Sequence, residues 1–340
     1  MLPVVDDVPA GGFPEGDLAP GTAVRVMTGA PVPEGATGVI RIEHTDGSRD
    51  GRVLIRADSD AWRNIRLVGE DLRRGDTILK AGTEVTPAVV GSLAAMGWPD
   101  VSVHRRPRVG VLSNGNELAD FDDLDDVLAG RRIMNSNEHG LAALLSATGA
   151  EPVCLGIARD DRADVRRRIE SAGEIDALVT SAGVSVGDHD HVKDALDSLG
   201  MTHGFWRVRM RPGSPITFGV LDGRPVFGLP GNPVSVMVTY HVFVQPALRA
   251  LAGHARVRRR TIAVRAAEDL HSPERLTHFF RVWLEPGVDG GYDARLTGPQ
   301  GSGILSSMVS ADALAIVPEG RSEIERGEDV EVIPLQEWIV

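Results

Sequence analysis

Alternating strand and helix signals through the middle of this chain predict a multidomain α/β protein. Its centre is a doubly wound βαβ domain, with a β-rich module before it and a β-barrel after it. Three observations carry the expectation. From Arg108 to Leu199 short apolar runs alternate with stretches of helical period, at the lengths of βαβ units. The segments before and after this region are instead short β-rich runs broken by Pro, Gly and Asp-Gly turns. Finally, three loops of small residues, SAGVSVGD, RMRPGSP and LPGNP, each follow an apolar run. There backbone N–H groups can approach anionic oxygens.

Taken in order, AVRVMTG, GVIRIEHT and GRVLIRA read as strands of a small barrel-like module over residues 1–75. Residues 76–105 form a connecting segment with one helix in TPAVVGSLAAMGWP, where Val89, Leu93 and Ala94 share a face and Gly97 closes it. The α/β domain spans 106–253. RVGVLSNG is a strand, Asn137 to Thr148 a helix, PVCLGI a strand, Arg162 to Ala172 a helix, and DALVTS a strand. A further helix runs from Asp190 to Leu199, with Val192, Ala195, Leu196 and Leu199 on one face and Gly200 as its stop. The hairpin ITFGVLDGRPVFG turns at Asp222-Gly223 and delivers LPGNP, where Asn232 can cap a helix whose first turn holds Pro233. RVRRR reads as a linker. TIAVRAA, HFFRVWLEP, ALAIVPEG and DVEVIPL then predict a C-terminal barrel over 254–340.

Composition narrows the function classes. With 340 residues the chain is long enough for several real cores. A net charge of −12 argues against nonspecific nucleic-acid binding while permitting a local basic pocket. The single cysteine, Cys154, excludes an intramolecular disulfide and a Cys-based zinc cluster, and its apolar surroundings predict a buried core thiol. The longest apolar stretch, Val234 to Leu251, is interrupted by Thr239, His241 and Gln245, so no membrane partner and a cytoplasmic location are expected.

Loops after strands supply the candidate chemistry. SNGNEL, ARDD, SAGVSVGD and RPGSP all fall at strand carboxyl ends, where open parallel sheets bind ligands. Asp188 reads as a helix cap and Asp190 as a ligand-facing carboxylate acting through magnesium. Arg207, Arg209 and Arg211 alternate along WRVRMRPG, so a strand there would put three guanidinium groups on one face. Arg211, beside the PGSP turn, is the expected ligand contact. Glu117, Asp160, Asp71 and Glu70 follow apolar runs and, taken singly, read as solvated surface residues or caps more readily than as functional groups. Thr28 either bonds a ligand oxygen or caps a turn. Gly183-Val-Ser185-Val-Gly187 matches the nucleophile elbow of serine hydrolases, with His203 and His241 downstream. That alternative leaves RPGSP and LPGNP without a role.

Together, VRVMTGAPVPEGA, NIRLVGEDLRRGD, PRVGVLSNGNEL, TSAGVSVGDHDHVK, FWRVRMRPGSP and VFGLPGNPVSVMVTY resemble the molybdopterin molybdenumtransferase (MoeA) family, which includes the C-terminal domain of gephyrin. The stretches occur in family order across nearly the whole chain. The resemblance implies a molybdopterin-binding α/β domain, flanking β-rich domains, a homodimer and a handover partner that supplies adenylylated molybdopterin. The implied activity is magnesium-dependent insertion of molybdate into adenylylated molybdopterin, with loss of AMP. By position it implies catalytic roles for Asp190, Glu117, Asp160 and Asp71, with Asp190 and Glu117 as metal ligands. Substrate contacts fall on Thr28, Arg66, Ser181, Gly183, Ser185, Gly187, Arg207 and Arg211, then on Pro212, Gly213, Ser214, Pro230, Gly231 and Asn232. Arg207 and Arg211 stand where many members carry lysine.

The departures from the family pattern shape a second expectation. The family's Ser-x-x-Asp-Gly-Tyr loop, which carries a functional aspartate, precedes the point where this sequence starts. The expectation is either a start placed too far downstream or a shortened product. Asn116 replaces the aspartate of a Thr-Gly-Asp-Glu loop, Ala182 the first glycine of a Gly-Gly pair, and Ser214 a frequent lysine. These changes motivate the alternative of a pterin-nucleotide-binding protein without efficient turnover.

Overall fold

Alternating exposure along LPVVDDV makes Leu2–Val8 a strand, β1, with its even residues turned inward. It is the centre of a three-stranded sheet, parallel to β2 (Ala23–Val26) and antiparallel to β3 (Arg52–Val53). The computed structural model describes residues 1–182, 191–288 and 290–336 and divides them into two compact units, Met1–Leu79 and Lys80–Val340. The first unit is an open sheet with long connections among the described residues, where the sequence suggested a small barrel. GVIRIEHT is the reason for part of the difference. Its Ile42–His44 segment is a 3₁₀ turn, because the buried Asp60 carboxylate takes the Arg41 backbone N–H at 3.0 Å and the Arg41 guanidinium at 3.0 and 3.1 Å. A side chain that captures a backbone donor removes it from any ladder. The Arg41 hydrogen bond holds the Asp60 carboxyl down at about 2.

In the second unit, helix α1 (Pro87–Ala95) begins at Thr86, whose hydroxyl accepts from the Val89 N–H, and stops before Gly97 at φ +73°. The α/β domain follows. Strand β4 (Arg108–Asn114) leads through the short parallel pair β5 (Leu118–Ala119) and β6 (Ile133–Met134), with α2 (Leu124–Leu128) between them. Then come α3 (Ser136–Ala147), β7 (Glu151–Ala158), α4 (Arg162–Ser171), β8 (Ala177–Ser181), α5 (His191–Ser198) and β9 (Thr202–Trp206). A short strand, β10 (Met210–Arg211), precedes the hairpin β11 (Thr217–Leu221) and β12 (Arg224–Leu229). Asp222 and Gly223 make its turn at φ +50° and +77°. The domain ends with α6 (Pro233–Thr239), a π-turn at Tyr240–Val244, and α7 (Gln245–Leu251).

The sheet runs β7-β4-β8-β12-β11-β9, and β7, β4, β8 and β12 are mutually parallel. Period-two alternation loads both faces. Val109, Val111, Ala177, Val179, Phe227 and Leu229 pack on one side with Leu141 and Leu145 of α3 and with Val236, Tyr240, Val244 and Leu248. Leu112, Leu178 and Val226 pack on the other with Val165 of α4 and Val192, Ala195 and Leu196 of α5. Each such side chain contributes roughly 1.5–3 kcal/mol by leaving water. This is a doubly wound α/β/α sandwich. Cys154 departs from expectation: it is exposed, on β7 at the edge of the sheet.

The C-terminal region contains β13 (Ile262–Ala266), β14 (Leu270–His271), β15 (Thr277–Pro286), β16 (Tyr292–Leu296), α8 (Ser306–Val309), β17 (Ala313–Val317), β18 (Glu323–Ile324) and β19 (Asp329–Pro334). Pairing runs β15-β16-β13-β19-β17 and returns to β15, which closes a five-stranded barrel. Strand β10 lies outside that circuit and adds in parallel to β15, with Met210 opposite Thr277 and Arg211 opposite His278. The α/β domain is thereby stitched into the barrel's sheet.

Candidate functional site

Connections from β4 and β8 diverge to opposite sides of the sheet, so the crevice between their carboxyl ends is the topological switch point. A buried polar chain forms its floor. Ser113 Oγ lies 3.1 Å from Ser181 Oγ and donates to Asn135 Oδ1 at 2.8 Å, and Asn135 Nδ2 donates to the Glu138 carboxylate at 2.9 Å. All four residues are buried, so they are committed to one another. Above them the loops after β4 and β7 are clasped. Asn116 N–H donates to the Asp160 carboxylate at 3.1 Å, and Asp160 N–H donates to Asn116 Oδ1 at 3.3 Å. The Glu117 carboxylate folds back over the Cα of Gly115. Glu117 and Asp160 therefore flank the same stretch of backbone at the rim.

Past β8, Ala182 adopts φ +68° and donates its N–H to Leu229 O at 3.1 Å. A left-handed residue with a Cβ costs about 1–2 kcal/mol relative to glycine's freedom. Gly183, Ser185, Gly187, Asp188, His189 and Asp190 lie outside the described residues.

Beside the switch point is a cleft of about 250 Å³ where three small-residue loops meet. Arg211, Pro212, Gly213 and Ser214 form one wall, Pro230, Asn232 and Ser235 another, and Gln300 and Ser302 of the barrel's GPQGSG loop the third. Gly213 is required where it stands: φ is +104°, and a Cβ there would fall on the Thr239 methyl. Asn232 occupies the N-cap position of α6, yet its amide reaches across to Ser302 Oγ at 3.0 Å. Ser302 O accepts from Val234 N–H at 3.2 Å. On the other flank, Asn137 Nδ2 of α3 donates to Gly231 O at 2.8 Å.

Behind the third wall sits a cationic layer. Arg281, on β15, is fully buried; its Nε donates to Ser307 Oγ and one Nη to Gly301 O, both at 3.1 Å, while Nη1 has no partner. Gln300 is fixed against the Arg281 backbone, accepting its N–H at 2.9 Å and donating to its carbonyl at 3.1 Å. Burial, reinforced by the charge of Arg211, lowers the Arg281 guanidinium to about 10. His278 is 4% exposed, and neither ring nitrogen has a partner. Burial, then Arg211 and Arg281, push its ring down to about 4. Among the described residues, no carboxylate is one of the groups acting on Arg281 or His278. Buried positive charge of this kind favours a neighbouring anion over a neighbouring cation.

The remaining sequence candidates are dispersed. Thr28, Arg66 and Asp71 are exposed in the first unit, Thr28 in the turn that follows β2. The three arginines of WRVRMRPG do not share a face, because the chain leaves β9 at Trp206 and Arg207 takes φ +66°. Arg207 stacks on the Trp206 ring at 4.6 Å, Arg209 pairs with Glu319 at 3.0 Å, and Arg211 alone lines the cleft. His203 bonds Asp197 at 2.5 Å, and His241 is buried beside Gln245. Sequence reasoning passed over Gln300, Ser302, Arg281 and His278. GPQGSG has the same Gly/Pro/Ser character as the loops singled out and could have been found by it; Arg281 and His278 carry no local signal.

Comparisons with known proteins agree with this architecture. Family models match in three blocks: the MoeA N-terminal region (domain I and II) at 3–97, a probable molybdopterin binding domain at 110–250, and the MoeA C-terminal region (domain IV) at 263–335. A molybdopterin molybdenumtransferase of Nostoc sp. is 38% identical over 98% of this chain and 77% of its own length. Molybdopterin molybdenumtransferase 2 of Mycobacterium tuberculosis is 39% identical over 98% and 82%. The crystal structure of the molybdopterin biosynthesis moeA protein from Pyrococcus horikoshii superposes with a TM-score of 0.80 at 27% identity, over 98% of this chain and 80% of that one. With its three regions in family order and a cationic cleft where two of them meet, the chain belongs to the molybdopterin molybdenumtransferase (MoeA) family.

Proposed function

We propose that this protein inserts molybdate into adenylylated molybdopterin with release of AMP, in molybdenum cofactor biosynthesis. The observation that carries the reading is the cleft at Arg211 and Ser302, backed by the buried Arg281, which has neither a partner for Nη1 nor a balancing carboxylate among the described residues. A tetrahedral oxyanion there accepts from Arg211 and is drawn by the charge of Arg281 behind the wall. The switch point beside it holds the pterin nucleotide, with Ser181, Pro230, Gly231 and Asn232 among the supporting residues. Cleaving a pyrophosphate needs positioning and charge stabilisation more than a protein nucleophile.

Magnesium suits the donors at the rim. Glu117 and Asp160 are hard oxygen ligands on the two loops joined by the Asn116–Asp160 clasp, and magnesium takes one or two carboxylates and keeps several waters. When bound, the ion would neutralise phosphate charge, with Glu117, Asp160 and Asp190 holding it. Asp71, Thr28, Arg66 and Arg207 complete the substrate contacts on this reading. The active form is a cytoplasmic homodimer that receives its nucleotide substrate from a preceding protein.

A second reading, binding without efficient turnover, is favoured by Ala182, whose Cβ stands in a left-handed position facing Gly231. One assay separates the two. Purified protein is incubated with adenylylated molybdopterin, magnesium and molybdate, and AMP is measured. Molybdate-dependent AMP release supports the enzyme; tight nucleotide binding without it leaves the binding protein.

A further inference from the structure

We infer that His278 takes up a proton when a tetrahedral dianion enters the cleft, so that anion binding at this site is proton-coupled. The inference rests on the cleft being an oxyanion site, as proposed above, and adds a titrating partner to it. His278 is the ladder neighbour of Arg211, a cleft residue, and lies on the same strand as Arg281. Its ring packs on Phe280 with centroids 3.8 Å apart. Arg211 from β10 and Val317 from β17 are its ladder partners, and Arg281, on the opposite face of its own strand, acts on it through charge. Glu319, two residues beyond the end of β17, is engaged by Arg209 at 3.0 Å.

Burial, then the two guanidinium groups, keep the ring neutral. A neutral imidazole has one donor and one acceptor nitrogen, and here both are buried without a partner. A dianion in the cleft offsets the charge of both arginines and so favours the imidazolium. The proton comes from solvent, no bond to the anion is made or broken, and the site gains one positive charge as the dianion arrives. Affinity therefore rises as pH falls, by up to about tenfold per pH unit between the ring's free and anion-bound values.

Sulfate is the cleanest probe, being a tetrahedral dianion that does not itself titrate in this range. Calorimetric titration of the intact chain with sulfate, in buffers of different ionisation enthalpy, counts the protons taken up. The expected result is uptake approaching about one proton per site near pH 6, tighter binding at about pH 5 than at about pH 7, and loss of both effects in His278→Gln. Nitrogen-detected NMR of the His278 ring in the unmodified protein needs no variant and should show its titration moving upward when sulfate is added. Parallel arms with molybdate and with AMP identify which dianion the coupling serves. Sulfate binding without proton uptake, or uptake that persists in His278→Gln, overturns the inference and leaves the oxyanion cleft standing. Absence of any dianion binding, with Arg281→Gln indistinguishable from the parent, overturns both.

Discussion

Asn116 and Asp160 exchange hydrogen bonds reciprocally, each side chain accepting the other's backbone N–H, at 3.1 and 3.3 Å. This clasp joins the loops after β4 and β7 and sets the position of Glu117. Asn116→Asp would preserve the geometry while setting two carboxylates against each other. Like charges at that range disfavour joint ionisation unless a cation lies between them. The expected outcome is a melting temperature below the parent's in a chelator and restored by magnesium. A chelator-insensitive variant would contradict the cation role given to this rim.

Ala182 stands at φ +68°, where glycine is unstrained. Ala182→Gly should raise stability by about 0.5–1 kcal/mol, since relief of left-handed strain outweighs glycine's entropy in the unfolded chain. Urea midpoints measure it. Single-turnover AMP release from the same variant then reports whether the Cβ slows chemistry, with faster release expected.

Gly213 and Thr239 occupy space that cannot hold another carbon. Gly213→Ala combines a disfavoured φ with a clash on the Thr239 methyl, and a loss of roughly 2–4 kcal/mol is expected. Thr239→Ser removes that methyl and keeps the hydroxyl that donates to Ser235 O at 2.7 Å. The double variant should recover part of the loss in a double-mutant cycle, and strict additivity would refute the contact.

His241 provides a pH test of the fold. Burial, then Arg259, hold its ring at about 4 against an unfolded value near 6.5, with Gln245 Oε1 3.4 Å from Nδ1. A depressed histidine pKa means that the unfolded chain binds more protons between those limits. The contribution is fully present above about pH 6.5 and is lost as pH falls towards about 4, on the order of 2–3 kcal/mol. His241→Gln should flatten the acid limb of a urea-midpoint-against-pH curve.

Arg281 tests the cleft. Arg281→Met removes a buried charge along with its bonds to Ser307 and Gly301, so stability should change little while anion affinity falls by more than about tenfold. Equilibrium dialysis with molybdate reads the affinity directly. Unchanged binding would remove Arg281 from the site.

Local signals marked most of the α/β domain. DALVTS became β8, the apolar face Val192–Ala195–Leu196 became the buried side of α5, and Asp222-Gly223 made the hairpin turn with both residues at positive φ. These features depend on side-chain period and turn chemistry within a dozen residues. GVIRIEHT failed because Asp60, distant in sequence, claims the Arg41 N–H. The Cys154 expectation failed because its sequence reads the same whether β7 is central or at the edge, and only the strand order decides. WRVRMRPG failed for a related reason: its period suits one strand, but β10 pairs with the barrel instead of continuing β9.

From residues alone, then, came the three-region architecture, the sandwich at its centre, the small-residue loops and the choice of Arg211 beside PGSP, which lines the cleft. Those follow from short-range patterning, which a linear chain displays openly. Only the tertiary structure brought GPQGSG of the barrel against LPGNP, set His278 opposite Arg211, and buried Arg281 with no carboxylate partner among the described residues. Strand pairing between distant segments is decided by which surfaces bury together. An arginine's charge also has no visible partner or lack of one until the chain is closed around it.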